Sequence, residues 1–244
     1  MKNWFYKPSP SMDKTISEKL VAFPREADMT HSIFRYGWNI VLRTFLKVYF
    51  RLDIIGEENL PKDKTFLLIA NHTSHLDSLC LSAAVPLHKV STTYSVAAKE
   101  YFFSSFLKSL FSAVFVNAIP FDRHAEKRKS LETCAKTLNE KNQVLIMFPE
   151  GTRAKDGVMN PFKKGIGILT AGTDHIVVPA YIKDAHRAWG KGSILLKPHK
   201  VTIIIGKPMQ FNEFPSEAQA YETIAATLQT EVVALKNLLE VHHV

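Results

Sequence analysis

A chain of 244 residues, 46% of them hydrophobic and 22% charged, can bury a sizeable core, which excludes global disorder. The formal net charge is +8, and five Glu and one Lys follow residue 210, so residues 1–210 carry +12. Such a basic excess indicates an anionic partner, which leaves nucleic acid, anionic lipid and phosphorylated substrates as the open classes.

The N-terminal residues lack the apolar core of a signal peptide, and no stretch reaches the roughly 18 uncharged apolar residues of a transmembrane helix. Cys80 and Cys134 each lie in an apolar helical pattern and are expected to be buried free thiols, which suits a reducing compartment. The sequence therefore predicts a cytoplasmic topology that still allows the protein to lie on a membrane.

Residues 31–51 have the pattern of a basic amphipathic helix. Apolar residues recur at spacings of four and three and so share one helical face, namely Phe34, Trp38, Val41, Phe45 and Val48. The other side carries basic residues and no acidic residue, namely Arg35, Arg43, Lys47 and Arg51. Two interpretations remain open: a helix in the headgroup region of an anionic bilayer, and a helix packed on the domain with a solvated basic face.

From Leu52 onward, strand-like and helical segments alternate. Apolar or alternating runs predict strands at 65–71, 91–98, 118–123, 143–148 and 175–182, with two more within 193–208. Helical patterns fall at about 77–84, 101–116, 125–140 and 216–240. The alternation predicts an α/β fold with a mixed, mostly buried β-sheet flanked by helices. An N-terminal arm and the basic amphipathic helix would occupy residues 1–51, and the main domain residues 52–244.

The segment from Asn71 to Asp77 directly follows a predicted buried strand. Four residues separate His72 from Asp77, so the turn into the next helix can fold the carboxylate onto the imidazole. A carboxylate on one ring nitrogen fixes the tautomer and raises the basicity of the other, as a general base for an alcohol requires. No Ser or Cys is obviously placed as a nucleophile, so direct attack by a substrate hydroxyl is the simplest chemistry.

Other interpretations of this segment are open. Asp77 can serve only as a helix N-cap, with Asn71 or Ser74 satisfying the turn. His72, His75 and Asp77 also form a possible ligand set for a metal ion. Because the sequence offers no second cluster of His or Cys to close such a site, no metal is expected.

Basic residues follow several of the predicted strands. Arg123 ends strand 118–123, Lys99 follows strand 91–98, and Arg153 lies in the loop after strand 143–148. That loop reads Glu150, Gly151, Thr152, Arg153, so it combines a flexible backbone, a hydroxyl and a guanidinium. Ligands of open α/β sheets bind at strand ends, so the three cations together predict a site for a dianionic phosphate. Alone, each would be an ordinary surface charge, and Glu150 is expected to hold Arg153 or a substrate hydroxyl.

Together these segments resemble the glycerol-3-phosphate and 1-acylglycerol-3-phosphate (lysophosphatidic acid) acyltransferase family, of the PlsC type. The motif NHxSxxD is complete as Asn71, His72, Ser74 and Asp77. The block FPEGTR stands unaltered at residues 148–153, and the order and spacing of four blocks match over Leu52 to Pro208. In the second block, Asn117 and Pro120 replace the usual Gly and aromatic residue, so an acceptor pocket of different shape is expected.

The resemblance implies that His72 is the base and Asp77 its partner. It implies an acceptor-phosphate site shaped by Arg123, Glu150, Gly151 and Arg153. The donor would be a fatty acyl thioester, on coenzyme A or acyl carrier protein, with no separate cofactor. The acceptor would be a lysophospholipid.

The expected function is therefore that of an O-acyltransferase of phospholipid biosynthesis, which acylates the free hydroxyl of a lysophosphatidic-acid-type acceptor. The protein is expected at the cytoplasmic face of an anionic membrane, as a peripheral or monotopic protein. The substitution Asp77→Asn is expected to remove most of the catalytic rate, because the carboxylate no longer controls the tautomer of His72. Two alternatives stay open, a transferase for another lysolipid or a non-phosphate alcohol or amine, and a non-catalytic lipid-phosphate-binding module. No nucleic-acid partner is expected, because the basic residues form no stripe with interleaved aromatic residues.

Overall fold

The computed structural model describes residues 29–99, 115–155, 157–190, 192–193 and 195–241. The strands in these ranges are β1 (Asp53–Ile55), β2 (Phe66–Ala70), β3 (Thr93–Ala98), β4 (Ala118–Phe121), β5 (Val144–Met147), β6 (Ile176–Lys183) and β7 (Thr202–Ile205). The α-helices are α1 (Met29–Tyr49), α2 (Leu76–Ala84), α3 (Lys127–Asn139), α4 (Gly165–Thr170), α5 (Ala185–Ala188) and α6 (Ala218–Val241). Two 3-10 helices cover Glu57–Asn59 and Leu87–Thr92.

In the described chain these strands form one sheet in the order β1-β7-β6-β2-β5-β3-β4. Every neighbouring pair is parallel except β6 and β7, which run antiparallel. The central strand β2 is buried along its whole length, as expected for a parallel strand covered on both faces. The predicted α/β fold with a mixed, mostly buried sheet is confirmed.

Successive residues of β2 point to opposite faces of the sheet and so belong to two different cores. Phe66 and Leu68 pack in the core that includes residues of α1 and α2. Leu67 and Ile69 pack in the other core, together with residues of α3, α4 and α6. Burial of these apolar side chains on both faces is what holds the sheet between its helices.

The helix α1 docks on the domain through a face that the sequence did not single out. Its buried apolar residues are Leu42 and Leu46, followed by Phe50 just beyond the helix. The predicted apolar face stays largely exposed, with Val41 at 61% and Val48 at 75% of full exposure. No described helix is long and apolar enough to cross a bilayer.

The interpretation that the four basic residues of α1 form a solvated face is corrected for Arg35 and Arg43. Arg35 is buried at 5% exposure, and the guanidinium of Arg43 donates a hydrogen bond to the carbonyl oxygen of Val85. Burial lowers the pKa of Arg43, although Glu57 and Tyr36 oppose this effect. Only Lys47 and Arg51 of the four predicted basic residues are exposed to solvent.

Several other sequence predictions are settled by the strand and helix bounds. Of the two strands predicted within 193–208, the described residues form only β7, because Pro198 has no N–H and Lys197 donates its own to Ala188. The three-residue β1 and six-residue α4 were not predicted, since neither is long enough to show a period. The arm at 1–28 and most of the helix predicted at 101–116 lie outside the described residues.

Candidate active site

The loops that follow β2, β4 and β5 meet at one edge of the sheet. Strands β2, β5, β3 and β4 are neighbours in that order and mutually parallel, so their carboxyl ends lie together. These loops carry the segment 71–77, Arg123 and the segment 148–153. The fold therefore gathers at this edge the motifs that the sequence singled out.

His72 and Asp77 form a hydrogen-bonded pair in the loop after β2. Asp77 Oδ2 accepts from His72 Nδ1 at 2.9 Å, and also from the backbone N–H groups of Thr73 at 2.6 Å and Ser74 at 2.8 Å. Asp77 is fully buried, whereas the side chain of His72 is 20% exposed. The carboxylate therefore fixes both the turn and the imidazole, which is more than a helix N-cap alone would do.

Asn71 and Ser74 support this turn from outside. The side chain of Asn71 donates to Ile182 O at 3.0 Å and accepts from Ile182 N at 2.7 Å, so it ties the end of β2 to β6. Ser74 Oγ donates to Trp189 O at 2.6 Å and accepts from Leu76 N at 3.1 Å. Both side chains are committed to backbone groups, so the hydroxyl of Ser74 is not available as a nucleophile.

Glu150 occupies a position that the sequence did not predict. Its carboxylate is 1% exposed, and Oε1 accepts from the backbone N–H of His72 at 2.7 Å. Oε2 accepts from Asn160 N at 2.8 Å and from Asn160 Nδ2 at 2.9 Å. Burial raises the pKa of Glu150, while these hydrogen bonds oppose the rise. The prediction that Glu150 contacts Arg153 or the acceptor is corrected, because both oxygens hold the loops together behind the site.

The imidazole of His72 lies on the wall of a cavity of about 680 Å³. Its ring stacks on Phe148, with ring centroids 4.1 Å apart and planes 15° apart. Four basic side chains line the cavity, namely Arg123, Lys127, Arg153 and Lys163, and no acidic side chain is among its described lining. The apolar part of the wall includes Leu79, Val96, Phe121, Leu131, Met147 and Ile166. The cavity therefore combines an imidazole, a positive region and an apolar region.

Two of the three cations predicted for a phosphate site line this cavity, and the third does not. Arg123 Nη1 donates to Gly151 O at 2.5 Å, which places its guanidinium against the turn at 150–153. Thr152 and Arg153 of that turn also line the cavity. Lys99 instead pairs with Glu126 at 3.3 Å, and it is not among the described lining. The structure therefore corrects the inclusion of Lys99 and adds Lys127 and Lys163, which the sequence did not identify.

His75 positions Arg153. The guanidinium of Arg153 donates through Nη1 to His75 Nε2, and the His75 ring packs near that of Trp189, with centroids 5.0 Å apart. Burial lowers the pKa of His75 to about 4, and the nearby charges of Arg153 and His72 add to this effect. His75 is therefore neutral near pH 7 and can accept the hydrogen bond. In the described chain, no group of three His, Cys, Asp or Glu side chains is arranged to hold a metal ion.

The backbone explains one departure of the sequence from the family pattern. Asn117 stands where the pattern has Gly, and its φ is +52°, a left-handed conformation that Gly and Asn tolerate best. Its side chain donates to Thr93 O at 2.8 Å. Pro120, the second departure, lies in β4, which is the edge strand of the described sheet. Proline is tolerated on an edge strand because a strand there has a neighbour on one side only, so not every residue must donate an N–H group. Both substitutions are thus compatible with an unchanged backbone at this position.

Attack of a hydroxyl on a thioester would place a negative charge on the carbonyl oxygen, and backbone N–H groups can stabilise such an oxyanion. The hydrogen bonds of the two loops show which of these N–H groups are already occupied. Backbone N–H groups near Gly151 or in the turn 71–77 are the candidates nearest to His72 in the two motifs. The N–H of Gly151 donates to Phe148 O at 3.0 Å, and those of Thr73 and Ser74 donate to Asp77. These three donors are therefore already used inside the protein.

Comparison with a family model agrees with this geometry. The model described as Acyltransferase matches residues 51–183, which is more than half of the chain. The chain therefore belongs to the acyltransferase family. This result confirms the resemblance inferred from the NHxSxxD and FPEGTR motifs.

Individual relatives carry a consistent name. A 1-acyl-sn-glycerol-3-phosphate acyltransferase from Limnanthes douglasii is 31% identical over 163 residues, which are 67% of this chain and 56% of that protein. One from Bacillus subtilis (strain 168) is 27% identical over 202 residues, which are 82% of this chain and 95% of that protein. The chain spans about half the length of the plant relatives it matches from two Limnanthes species and Cocos nucifera.

A solved structure has the same fold. The crystal structure of the 1-acyl-sn-glycerophosphate (LPA) acyltransferase, PlsC, from Thermotoga maritima aligns with a TM-score of 0.61. The alignment covers 84% of this chain and 80% of that chain, at 24% sequence identity. At this level of identity the match supports the architecture, in agreement with the mixed sheet described above.

Proposed function

We propose that this protein transfers a fatty acyl group from an acyl thioester to the free hydroxyl of a lysophosphatidic-acid-type acceptor. The observation that carries the proposal is the pair of His72 and Asp77, joined at 2.9 Å on the wall of a cavity with four basic side chains. A base and an anion site in one cavity suit an acceptor that bears both a hydroxyl and a phosphate. The names of the relatives support this acceptor class.

In the proposed mechanism, His72 is the general base. Asp77 occupies Nδ1, so Nε2 is left to remove the proton of the acceptor hydroxyl as its oxygen attacks the thioester carbonyl carbon. The tetrahedral intermediate then collapses, the C–S bond breaks, and the imidazolium returns the proton to the departing thiolate. The charge of Asp77 stabilises the imidazolium between these two steps.

The rest of the cavity would orient the two substrates. Arg123 and Arg153 would bind the acceptor phosphate, with His75 holding the guanidinium of Arg153 in place. The apolar wall that includes Val96 and Leu131 would contact an acyl chain. The proposed reaction needs no cofactor, because the thioester of acyl-CoA or acyl carrier protein already supplies an activated carbonyl and a leaving group.

A panel of acceptors tests this proposal. Purified protein is incubated with labelled acyl-CoA or acyl carrier protein thioester and with lysophosphatidic acid, lysophosphatidylcholine, glycerol 3-phosphate or monoacylglycerol, and the products are resolved by mass. We expect phosphatidic acid to form from lysophosphatidic acid with the highest kcat/KM, because the cations favour a phosphate dianion. Efficient use of monoacylglycerol that survives Arg123→Ala and Arg153→Ala would favour a non-phosphate acceptor. Bound lysolipid without any product would favour a binding module.

We further propose that the exposed side of α1 seats the protein on an anionic membrane surface. This side carries a contiguous set of exposed apolar side chains, namely Ile33, Phe34, Ile40, Val41, Phe45 and Val48. Exposed Lys47 and Arg51 lie near its C-terminal end and can interact with anionic headgroups. Trp38 contacts Phe115 with ring centroids 4.6 Å apart, and the next residue, Val116, lines the cavity. The proposed membrane contact therefore lies beside the cavity wall, where a lysolipid and acyl chains would enter.

The double substitution Val41→Ser and Val48→Ser is expected to weaken binding to vesicles of phosphatidylcholine and phosphatidylglycerol. Two apolar side chains lose their burial in the interface, so the partition coefficient should fall by about 10–30-fold. Co-sedimentation measures the bound fraction. The control replaces Val233 and Leu238, two exposed apolar residues of α6, by Ser. An equal loss in both double variants, or in neither, would argue against a membrane contact through α1.

A further inference from the structure

Besides Arg123 and Arg153, the basic side chain of Lys163 lies at the turn that follows β5. Lys163 lines the cavity and is fixed at its backbone, where its N–H donates to Pro149 O at 2.9 Å. It lies two residues before α4, which begins at Gly165. Its neighbour Lys164 does not line the cavity and pairs with Glu222 at 3.9 Å. Adjacent lysines of the chain therefore face different surroundings.

Gly151 gives Lys163 the space it occupies. A Cβ atom on Gly151 would stand 2.8 Å from Lys163 Nζ and 3.2 Å from its Cδ and Cε, closer than side chains normally approach. The φ of Gly151 is +70°, a conformation that other residues rarely adopt. The carbonyl oxygen of the same glycine accepts from Arg123 Nη1 at 2.5 Å. One glycine is thus flanked by the side chains of two basic residues, both of which line the cavity.

The ammonium of Lys163 is not neutralised by a carboxylate within the part of the chain that the structure describes. No ion pair within 4.0 Å involves it there, whereas Lys99, Lys129 and Lys164 each have one. The described cavity lining also contains no acidic side chain. The ammonium of Lys163 and the guanidinium of Arg123 both lie against Gly151 in this positive cavity. Together they are suited to an anion that binds in the cavity.

We propose that Lys163 binds the acceptor phosphate together with Arg123 and Arg153, and that Gly151 leaves room for the Lys163 side chain in this position. This inference rests on the proposed function and specifies its acceptor as a phosphomonoester, whose terminal oxygens can meet three cations at once. A phosphodiester headgroup has one negative charge and two substituted oxygens, so it can use fewer of these contacts. Gly151 would therefore affect phosphate binding only indirectly, by leaving space for the side chain of Lys163.

The test compares Lys163→Met with Lys164→Met, which removes the same charge one residue away and outside the cavity. Lys163→Met is expected to raise the KM for lysophosphatidic acid by roughly 10–100-fold, the loss of one charge-assisted contact, with a smaller change in kcat. Lys164→Met should match the unmodified protein. Lys163→Arg should recover part of the affinity, and Gly151→Ala should weaken binding because its methyl group displaces the lysine.

Direct binding separates this inference from the proposed function. Titration calorimetry with glycerol 3-phosphate measures phosphate affinity without turnover, and thermal unfolding shows whether each variant is folded. Weaker binding by folded Lys163→Met than by Lys164→Met supports the assignment, whether or not the unmodified protein transfers an acyl group. Equal binding by the two Met variants overturns the assignment of Lys163, and active unmodified protein would then leave the proposed function intact. If Gly151→Ala binds as tightly as the unmodified protein, the assignment of Gly151 is wrong.

Discussion

Replacement of His72 by Ala is expected to lower kcat for acyl transfer by roughly 10³–10⁴-fold, because the acceptor hydroxyl loses its general base. The KM for lysophosphatidic acid should change little, since the guanidinium groups of Arg123 and Arg153 remain. Steady-state kinetics with labelled acyl-CoA measure both quantities. Part of the rate should return with added imidazole, because the variant leaves a space beside the ring of Phe148, on which His72 stacks.

The His72→Ala variant should remain folded. Asp77 keeps the N–H groups of Thr73 and Ser74 as donors, so its buried charge is not left without partners. His88→Ala is the matched control, since His88 is an exposed histidine that contacts Lys62 O away from the cavity. A folded His72→Ala protein with nearly unchanged kcat would exclude His72 as the base.

Replacement of Asp77 by Asn is expected to lower kcat by roughly 10²–10³-fold, less than the loss of His72 itself. The N–H groups of Thr73 and Ser74 converge on Asp77 Oδ2, so they will hold the amide oxygen of Asn in that position. That oxygen can still accept from His72 Nδ1, and the tautomer is preserved. What is lost is the negative charge that stabilises the imidazolium. This reason replaces the loss of tautomer control that the sequence suggested.

The same substitution should also destabilise the fold. Asp77 Oδ1 is buried and has no hydrogen-bond partner among the described residues, so the amide group of Asn would be buried there with two unsatisfied N–H donors. The expected cost is about 1–3 kcal/mol in the free energy of unfolding, measured by urea denaturation. A kcat as low as that of His72→Ala would instead mean that the amide turns its NH₂ group toward the imidazole and imposes the wrong tautomer.

The local parts of the site could be predicted from the sequence, and the long-range parts could not. His72 and Asp77 are close in the chain and follow a recognisable buried strand, so their contact follows from a short turn. Lys163 reaches the cavity only because the segment before α4 packs on the loop after β5, and its sequence neighbour Lys164 points elsewhere. In the sequence, Glu150 has the appearance of an ordinary loop carboxylate. In the structure it is buried against Asn160, and no periodic pattern in the sequence predicts that contact.

The helix α1 shows the same limit for packing. Its sequence is apolar on more than one side, and the spacing of Phe34, Val41, Phe45 and Val48 predicts that they share one face. It could not decide whether that face or the one with Leu42 and Leu46 packs on the domain. The choice depends on the shape of the surface formed by α2 and the 3-10 helix Leu87–Thr92, on which α1 packs and which exists only in the assembled fold.

The carboxylate of Glu150 joins the two sequence motifs, together with the backbone N–H of Ala154, which donates to His72 O at 2.7 Å. Residues 72 and 150 lie 78 positions apart, yet the Glu150 side chain accepts from the backbone N–H of His72 and also from the backbone N–H of Asn160. An amide at this position has only one acceptor atom, so it could not accept from the backbone N–H groups of both His72 and Asn160 as the two carboxylate oxygens do. The distance between the imidazole of His72 and the turn 150–153 therefore depends on a buried carboxylate that is not among the described residues lining the cavity.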